Sequence, residues 1–174
     1  MHIGMFSGNH IVRFQKFDSI SEMREVLSRN TSGFWELTEP EYHSAYYILN
    51  YRRFNTNEWF GVGICTINEN FPPNVVSYIN NDGLLMVHDN YISLLNLYIG
   101  QVRFSYEADS MICFSKYYKD TIIVIAELSA TQLNMSGEVL ASHVFDDILE
   151  SFSFEDGYLI CQTTNGSTQY KLIS

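Results

Sequence analysis

The side chains best able to do chemistry in this sequence are five histidines and twenty carboxylates. Two places put a histidine near an acid: His88 precedes Asp89, and His143 is followed by Asp146 and Asp147. Neither place matches a recognised metal-binding pattern, and a zinc or acid–base site would need a third group from elsewhere in the fold. We therefore expect ordinary histidines at turns and strand ends, and no metal site.

Signatures of catalytic nucleophiles and of phosphate binding are also missing from the sequence. The serines lack the Gly-x-Ser-x-Gly elbow, and Gly61-Val62-Gly63 alone is too weak a match to a phosphate-binding loop. Asp146-Asp147-x-x-Glu150 lacks the spacing of a calcium loop. The sequence thus predicts a protein that is not an enzyme and that needs no cofactor.

Three widely separated cysteines, Cys65, Cys113 and Cys161, each lie in an apolar run. Their odd number argues against a secreted disulfide framework, so we expect three buried, reduced thiols. The N-terminus, MHIGMFSGNH, lacks the order of a signal peptide, and no apolar run approaches the length of a membrane span. These features predict a soluble, cytoplasmic protein that does not enter a membrane.

The charge of the chain is unevenly distributed. Of the net charge of −10, residues 1–80 contribute eight acids and six bases, and residues 81–174 contribute twelve acids and four bases. From Asp120 to Tyr170 there are eight carboxylates and no Lys or Arg. Such a surface cannot replace the counterions of a nucleic acid or bind anionic lipids. It can attract a basic protein or metal cations, or it can simply keep the chain soluble.

The candidate partner-binding site is a set of acidic residues in this region with nearby tyrosines. The set consists of Asp146, Asp147, Glu150, Glu155, Asp156 and Glu138, with Tyr117, Tyr118 and Tyr158 as aromatic anchors. If ILESFSFEDGYLI is a hairpin, its two acidic clusters lie about 20–30 Å apart, unless a bend brings them onto one rim. The functional interpretation is a docking surface for a basic protein. The alternative is a solvated sheet edge whose charges prevent edge-to-edge pairing.

Two short strands and two short helices are predicted for the N-terminal third. The strands fall within residues 1–17, on either side of Ser7-Gly8-Asn9. Ser19 and Glu22 form a capping box for a helix that ends at Asn30 to Gly33. A second capping box at residues 38–41 predicts a helix that closes at residues 52–55. A Tyr-rich strand in HSAYYILNYRRF is the alternative to this second helix.

From Trp59 onward the pattern changes to short strands separated by turns. The glycines of WFGVGICTI indicate a bulge or the close approach of another element. The main turn signals are Asn81-Asp82-Gly83, Ser136-Gly137, Asp156-Gly157 and Asn165-Gly166. The segments NDGLLMV and EDGYLIC, at 81–87 and 155–161, resemble each other, but one echo does not establish a repeat architecture.

Together these elements predict an α+β protein. Most of it is an antiparallel β meander, closed or stacked as a barrel or sandwich, with the two helices in the N-terminal third. We expect a single domain over residues 1–174, with an N-terminal lobe at 1–57 and a sheet portion at 58–174.

In size, acidity and lack of a catalytic signature, the chain resembles the immunity proteins of interbacterial toxin systems, in particular those of contact-dependent growth inhibition. No motif carries this resemblance, so no residue role is transferred from it. The resemblance implies a cytoplasmic protein without a cofactor that binds a cognate toxin, often a basic nuclease, and blocks its active site or substrate groove. The expected partner is thus a basic toxin domain, and neither a nucleic acid nor a membrane.

Two other functions are consistent with the sequence. One is an enzyme or small-ligand binder built on a β-barrel, which predicts a deep apolar cavity with convergent polar groups and shifted pKa values. The other is a structural or regulatory module whose acidity serves only solubility. The immunity interpretation instead predicts a convex or shallow acidic surface with exposed aromatic side chains.

Overall fold

The computed structural model describes residues 3–7, 10–37, 44–53, 56–79 and 83–173. The chain divides into two compact units. Unit 1 comprises Met1–Asp89 and Leu94–Val102, and unit 2 comprises Asn90–Ser93 and Arg103–Ser174. The expected organisation as a single domain, with portions 1–57 and 58–174, stays a prediction.

A five-stranded sheet, sheet 1, begins the chain in unit 1. Its strands are β1 (Ile3–Ser7), β2 (His10–Phe17), β3 (Gly33–Glu36), β4 (Ala45–Arg53) and β5 (Phe60–Thr66). Their order in space is β1-β2-β4-β5-β3, and all pairs are antiparallel except the parallel pair β3–β5. The two strands predicted within residues 1–17 are confirmed. Gly8 and Asn9 of the predicted turn lie outside the described residues.

Helix α1 (Ile20–Asn30) forms where the first capping box predicts it. Ser19 is the N-cap residue, and its side chain accepts a hydrogen bond from the Glu22 backbone amide at 3.2 Å. This bond satisfies one of the amides that have no partner within the first turn of a helix. The helix ends at Asn30, as predicted, and Thr31 is its C-cap.

Two glycines of β5 allow α1 to pack closely against sheet 1. A β-carbon at Gly61 would collide with a methyl group of Leu27, and one at Gly63 would meet Leu27 and Met23 at 3.2 Å. Both Leu27 and Met23 are fully buried. The close approach predicted for these glycines is confirmed, and it fixes the helix on the sheet.

The second helix predicted for the N-terminal third is wrong. Residues 45–53 form strand β4, which pairs with β2 on one side and β5 on the other. Three consecutive residues, Tyr47, Ile48 and Leu49, are buried. The sequence of a strand that is covered on both faces is a continuous apolar run without alternation. Such a run does not distinguish a strand from a buried helix. The capping box predicted at residues 38–41 lies outside the described residues.

Three further sheets follow in chain order. Sheet 2 consists of β6 (Asn74–Ile79), β7 (Gly83–His88), β8 (Tyr91–Asn96) and β9 (Gln101–Glu107). Sheet 3 consists of β10 (Ile112–Tyr118), β11 (Thr121–Ala126), β12 (Ser129–Asn134) and β13 (Val139–Val144). Sheet 4 consists of β14 (Leu149–Glu155), β15 (Tyr158–Thr163) and β16 (Gly166–Lys171).

In each of these three sheets the strands lie side by side in their sequence order. The predicted β-rich, antiparallel meander is therefore confirmed. The described strands form four separate open sheets, so the barrel alternative is wrong. The described residues contain one helix instead of the two predicted. No helix among them has the length and apolarity that crossing a membrane needs.

Sheets 2, 3 and 4 repeat one unit of 37 or 38 residues. Their first strands begin at Asn74, Ile112 and Leu149. Each first strand also contains a bulge, where one residue is skipped in the pairing with the second strand. The skipped residues are Val76, Cys113 and Glu150. These bulge residues are spaced by a constant 37 residues. The resemblance between segments 81–87 and 155–161 therefore relates the first and third units of a threefold repeat.

The bulge in β10 explains why one cysteine prediction is wrong. Cys65 and Cys161 are buried, as predicted, but Cys113 is exposed. A bulge residue leaves the alternation of its strand, so an apolar run around it does not ensure burial. All three thiols are free. Burial raises the pKa of Cys161 to about 11, which makes this thiol a poor nucleophile at neutral pH.

Sheets 3 and 4 pack together around one core in unit 2. Its buried members are Ile123, Ile125, Ala130, Phe145, Leu159 and Cys161. Strand β11 is buried along its whole length, whereas β15 alternates between buried and more accessible residues. Sheet 4 thus buries one face, and the other face carries polar side chains such as Ser153 and Gln162.

Candidate functional site

The candidate residues lie at two opposite ends of sheets 3 and 4, which we call the linker end and the turn end. At the linker end, segments 108–111 and 145–148 lead from one sheet into the next, beside turns at 127–128 and 164–165. At the turn end lie the turns at 119–120, 135–138 and 156–157. Strand β14 joins the two ends over about 20 Å, at about 3.3 Å per residue. The two predicted acidic clusters therefore do not share one rim.

Six carboxylates lie at the linker end. They are Glu107, Asp109, Glu127, Asp146, Asp147 and Glu150. All are exposed except Asp147, which is half-buried. The stretches that carry them, residues 104–115 and 120–170, contain no Lys or Arg. Within unit 2 the linker end is therefore strongly negative.

Two of these carboxylates, one in each linker, connect the linker to the sheet that it enters. Asp109 accepts a hydrogen bond from the Ser129 hydroxyl of sheet 3 at 2.8 Å. Asp146 accepts one from the Thr163 hydroxyl of sheet 4 at 3.1 Å. The two aspartates lie 37 residues apart, one repeat unit, and their hydroxyl partners lie on different strands of the two sheets, β12 and β15.

Asp147 is held in place by two hydrogen bonds. The Thr164 hydroxyl donates to one carboxylate oxygen, and the backbone amide of Ile148 donates to the other at 2.8 Å. The bond from Thr164, followed by that from Ile148, lowers the pKa of the Asp147 carboxyl. The negative charge is consequently ionised and fixed in position at neutral pH. A preorganised charge loses less conformational entropy when a partner binds it.

Large apolar side chains are exposed among the carboxylates of the linker end. Val144 is 74% exposed, Ile148 60% and Leu128 41%. The Phe145 amide donates a hydrogen bond to the Leu128 carbonyl at 2.8 Å, which brings the 127–128 turn next to the 145–148 linker. Exposed apolar groups surrounded by charges are typical of surfaces that bind other proteins.

At the turn end the charges nearly balance. Its acids are Asp120, Glu138, Glu155 and Asp156, and its bases are Lys116, Lys119 and Lys171. The Lys116 ammonium lies 4.7 Å from the centre of the Phe154 ring, and that of Lys119 lies 5.2 Å from the centre of the Tyr118 ring. Both distances fit cation–π contacts, which engage the two lysines with aromatic rings.

The three tyrosines predicted as anchors all lie at the turn end. Tyr158 is exposed, and Tyr117 and Tyr118 are half-buried. The Tyr117 hydroxyl donates to Asp120 at 2.6 Å, and this hydrogen bond raises the pKa of the phenol. The structure therefore places the anchors with Glu138, Glu155 and Asp156, and away from Asp146, Asp147 and Glu150.

Sequence reasoning found three of the nine residues of the linker-end surface and missed six. The residues missed are Glu107, Asp109, Glu127, Leu128, Val144 and Ile148. They come from three separate connections, and only the repeat brings these connections together. The available signal was the period of 37 residues, because it places Asp109 and Asp146 at equivalent positions.

Neither histidine neighbourhood forms a metal site. His143 stacks on Tyr170, with ring centres 4.0 Å apart, and His88 is buried at the end of β7. Among the described residues, no group of three or more His, Cys, Asp or Glu side chains could hold a metal ion. His143 thus contributes to packing between sheets 3 and 4.

No family model matches this chain, and no curated protein matches it. Among solved structures, Hsv2 from Kluyveromyces marxianus has a TM-score of 0.48 at 9% identity, over 74% of this chain and 45% of that one. BamB from Moraxella catarrhalis has a TM-score of 0.47 at 12% identity, over 76% of this chain and 40% of BamB.

A third solved structure, HIRA(644-1017), has a TM-score of 0.46 at 8% identity. It covers 98% of this chain and 49% of the HIRA chain. The present chain therefore spans less than half the length of each of these three structures. Likenesses at this level do not establish a shared fold or function.

Proposed function

We propose that this chain is an immunity protein that binds and neutralises a basic bacterial toxin domain, such as a nuclease, through the linker end of unit 2. The observation that supports this most is the combination of six carboxylates with the exposed side chains of Leu128, Val144 and Ile148. The proposed site of action is the cytoplasm, and the chain itself performs no catalysis.

The physical basis of the proposal is electrostatic complementarity around an apolar centre. A nuclease carries Lys and Arg where it holds phosphates, and an acidic surface can occupy that groove in place of the nucleic acid. The fixed carboxylates of Asp146 and Asp147 would steer a basic partner toward the surface. Burial of Val144 and Ile148 would then supply affinity that does not depend on salt.

The first test searches the genes that neighbour the gene of this chain for a basic nuclease-toxin domain and co-expresses each candidate with this chain. We expect restored growth and loss of nuclease activity when the two proteins are mixed. A toxin that arrests growth equally with and without this chain would rule out the immunity function.

The second test asks whether the linker end is the binding surface. Asp146→Asn, Asp147→Asn and Glu150→Gln together should slow association about tenfold at low ionic strength. The effect should shrink near 1 M salt, where the Debye length is about 3 Å. Stopped-flow kinetics at several salt concentrations would measure it.

The matched control changes the same amount of charge at the turn end. Glu138→Gln, Glu155→Gln and Asp156→Asn also remove three carboxylates, but they leave the linker end intact. The control should associate close to the wild-type rate. Equal slowing by both triple variants would mean that total charge, and not the linker end, governs association.

A further inference from the structure

A cavity of about 180 Å³ lies in unit 1, on the face of sheet 1 that helix α1 covers in part. Pairing of β2 with β4 places Arg13 opposite Asn50, and Gln15 opposite Ile48. Ile48 is buried in one cluster with Leu27 of α1, so these pairs lie on the face that the helix covers. The cavity lies beside the C-terminal half of the helix.

Polar side chains line most of this cavity. The lining residues are Arg13, Gln15 and Asn50 of sheet 1, Val26 and Asn30 of α1, and Trp59 just before β5. No carboxylate is among the described residues that line it. In the described part of the chain, the side-chain amides of Gln15, Asn30 and Asn50 make no hydrogen bond. Since polar groups in proteins generally find partners, these amides are available to water or to a bound ligand.

The positive charge at the cavity comes from two arginines that contact the Trp59 ring. The guanidinium carbon of Arg13 lies 4.8 Å from the ring centre, and that of Arg52 lies 5.3 Å from it. Arg52 follows Asn50 by two residues along β4 and therefore lies on the same face of the sheet. A guanidinium that lies over an aromatic ring keeps its N–H groups available for oxygen acceptors. Neither arginine makes an ion pair with another described residue.

The second arginine, Arg52, is half-buried and held in place. Its Nη1 atom donates a hydrogen bond to the Thr56 carbonyl at 3.3 Å. Its Nε atom is buried, and no described residue accepts a hydrogen bond from it. A buried cation without a counter-ion is costly, so a bound anion would stabilise this charge. The C-terminal end of α1 contributes about half a negative charge nearby, which does not offset two full positive charges.

We propose that this cavity binds the phosphate group of a small phosphomonoester. The phosphate carries about −1.5 to −2 charges at pH 7, which matches the two arginines, whereas a carboxylate carries one. Its three terminal oxygens can accept hydrogen bonds from the guanidinium of Arg13 and from the amides of Gln15 and Asn50. The cavity volume equals that of about six water molecules, at about 30 Å³ each, so it holds the phosphate and the first atoms of the molecule that carries it. This proposal is independent of the linker-end function, since the cavity lies in unit 1.

The test is an NMR titration of the whole chain with methyl phosphate at constant ionic strength. We expect saturable shifts of the Arg13 Nε–H signal and of the Asn50 side-chain amide, with a Kd of about 1–10 mM. Acetate carries the same methyl group on a carboxylate, and it should bind at least about tenfold more weakly. Absence of saturable shifts at about 50 mM methyl phosphate, or equal affinity for acetate, would overturn the proposal.

Inorganic phosphate is the second probe, and it separates the free ion from the ester. The ester should bind at least as tightly as the free ion, because its methyl group can contact Val26 or Trp59 in the cavity. Both probes should shift the same side-chain signals. Tighter binding of inorganic phosphate would assign the cavity to the free ion and overturn the proposal of an ester.

Two variants of Arg13 test the geometry, and thermal unfolding would verify their fold. Arg13→Gln should weaken methyl phosphate binding about tenfold or more, because it removes charge-assisted hydrogen bonds. Arg13→Lys keeps the charge but lacks the planar guanidinium, so its loss should be smaller. The control, Arg29→Gln, removes the same charge from the last turn of α1, at a residue that pairs with Glu25 and does not line the cavity. Equal affinities of Arg13→Gln and Arg29→Gln would overturn the proposed site.

Discussion

The two ends of unit 2 are built from the same strands but are stabilised in different ways. At the turn end, the backbone itself makes the reversals, with positive φ at Lys119, Asp120, Gly137, Asp156 and Gly157. At the linker end, carboxylates close the structure by accepting hydrogen bonds from hydroxyl groups of the following sheet. Carboxylates also accept hydrogen bonds at the turn end, and Gly166 at the linker end has positive φ as well. What differs is that the linkers between sheets, unlike the hairpin turns, are joined to the following sheet by carboxylates.

This difference explains why acidity is concentrated where it is. A hairpin turn needs only small residues or Asp, Asn and Gly, which adopt positive φ at low cost. A linker between sheets has no such local solution, and an aspartate can bond both to backbone amides and to hydroxyls. The charge that makes the linker end attractive to a basic partner thus also has a structural role.

The largest effect is expected at the turn end, for Gly137→Ala. Gly137 has φ of 84°, and a β-carbon there would lie 2.6 Å from Phe104 Cγ. We expect a loss of about 3 kcal/mol in the free energy of unfolding, from backbone strain and overpacking together. Gly157→Ala has nearly the same φ but open space around the β-carbon, so it should cost only about 1 kcal/mol. Urea unfolding would measure both, and equal losses would show that the contact with Phe104 is unimportant.

A smaller effect is expected at the linker end for Asp109→Ala. This change leaves the buried Ser129 hydroxyl without its acceptor, which should cost about 1–3 kcal/mol. The control is Glu127→Ala, which removes an exposed carboxylate from the neighbouring turn and should change stability by about 0.5 kcal/mol or less. If the two variants were equally stable in urea, the carboxylates would not be stabilising the linkers.

The smallest effect concerns the titration of Asp147. Its folded-state pKa is lowered, so the carboxylate contributes stability above its unfolded pKa, and this contribution is lost as the pH falls through the folded pKa. Thr164→Val removes the hydroxyl that donates to Asp147, which is the largest cause of the lowered pKa. The pKa of Asp147 should therefore rise toward its ordinary value. Thr164→Ser keeps the hydroxyl and should preserve the shift. NMR titration of the side-chain carboxyl would decide, and an unmoved pKa in the valine variant would contradict the assigned role of Thr164.

The strand pattern was the most predictable part of this molecule. Turn chemistry located the reversals at Gly137 and Asp156-Gly157, because few residues adopt positive φ cheaply. Strand β4 was mistaken for a helix because it is buried on both faces, which removes the alternation that identifies a strand. The exposure of Cys113 was missed because a bulge leaves no trace in an apolar run.

The repeat was only half visible in the sequence. The echo between residues 81–87 and 155–161 spans two units, and the unit between them makes the equivalent turn with Lys119-Asp120 instead of Asp-Gly. Without a glycine there, the middle unit shows no turn signature. Recognising the whole linker-end surface from the sequence requires this period. Without it, the sequence identifies only Asp146, Asp147 and Glu150.

The 37-residue period also has a consequence for how the chain folds. In sheets 3 and 4, every strand pairs with its neighbour in sequence, so closing each hairpin fixes a short loop at little entropic cost. Low contact order of this kind favours rapid, stepwise assembly in which one sheet forms and the next adds to it. Sheet 4 packs against sheet 3 around the core of unit 2, and most residues of its strand β16 are exposed. The backbone amides of β16 should therefore be the first of the unit to exchange with solvent.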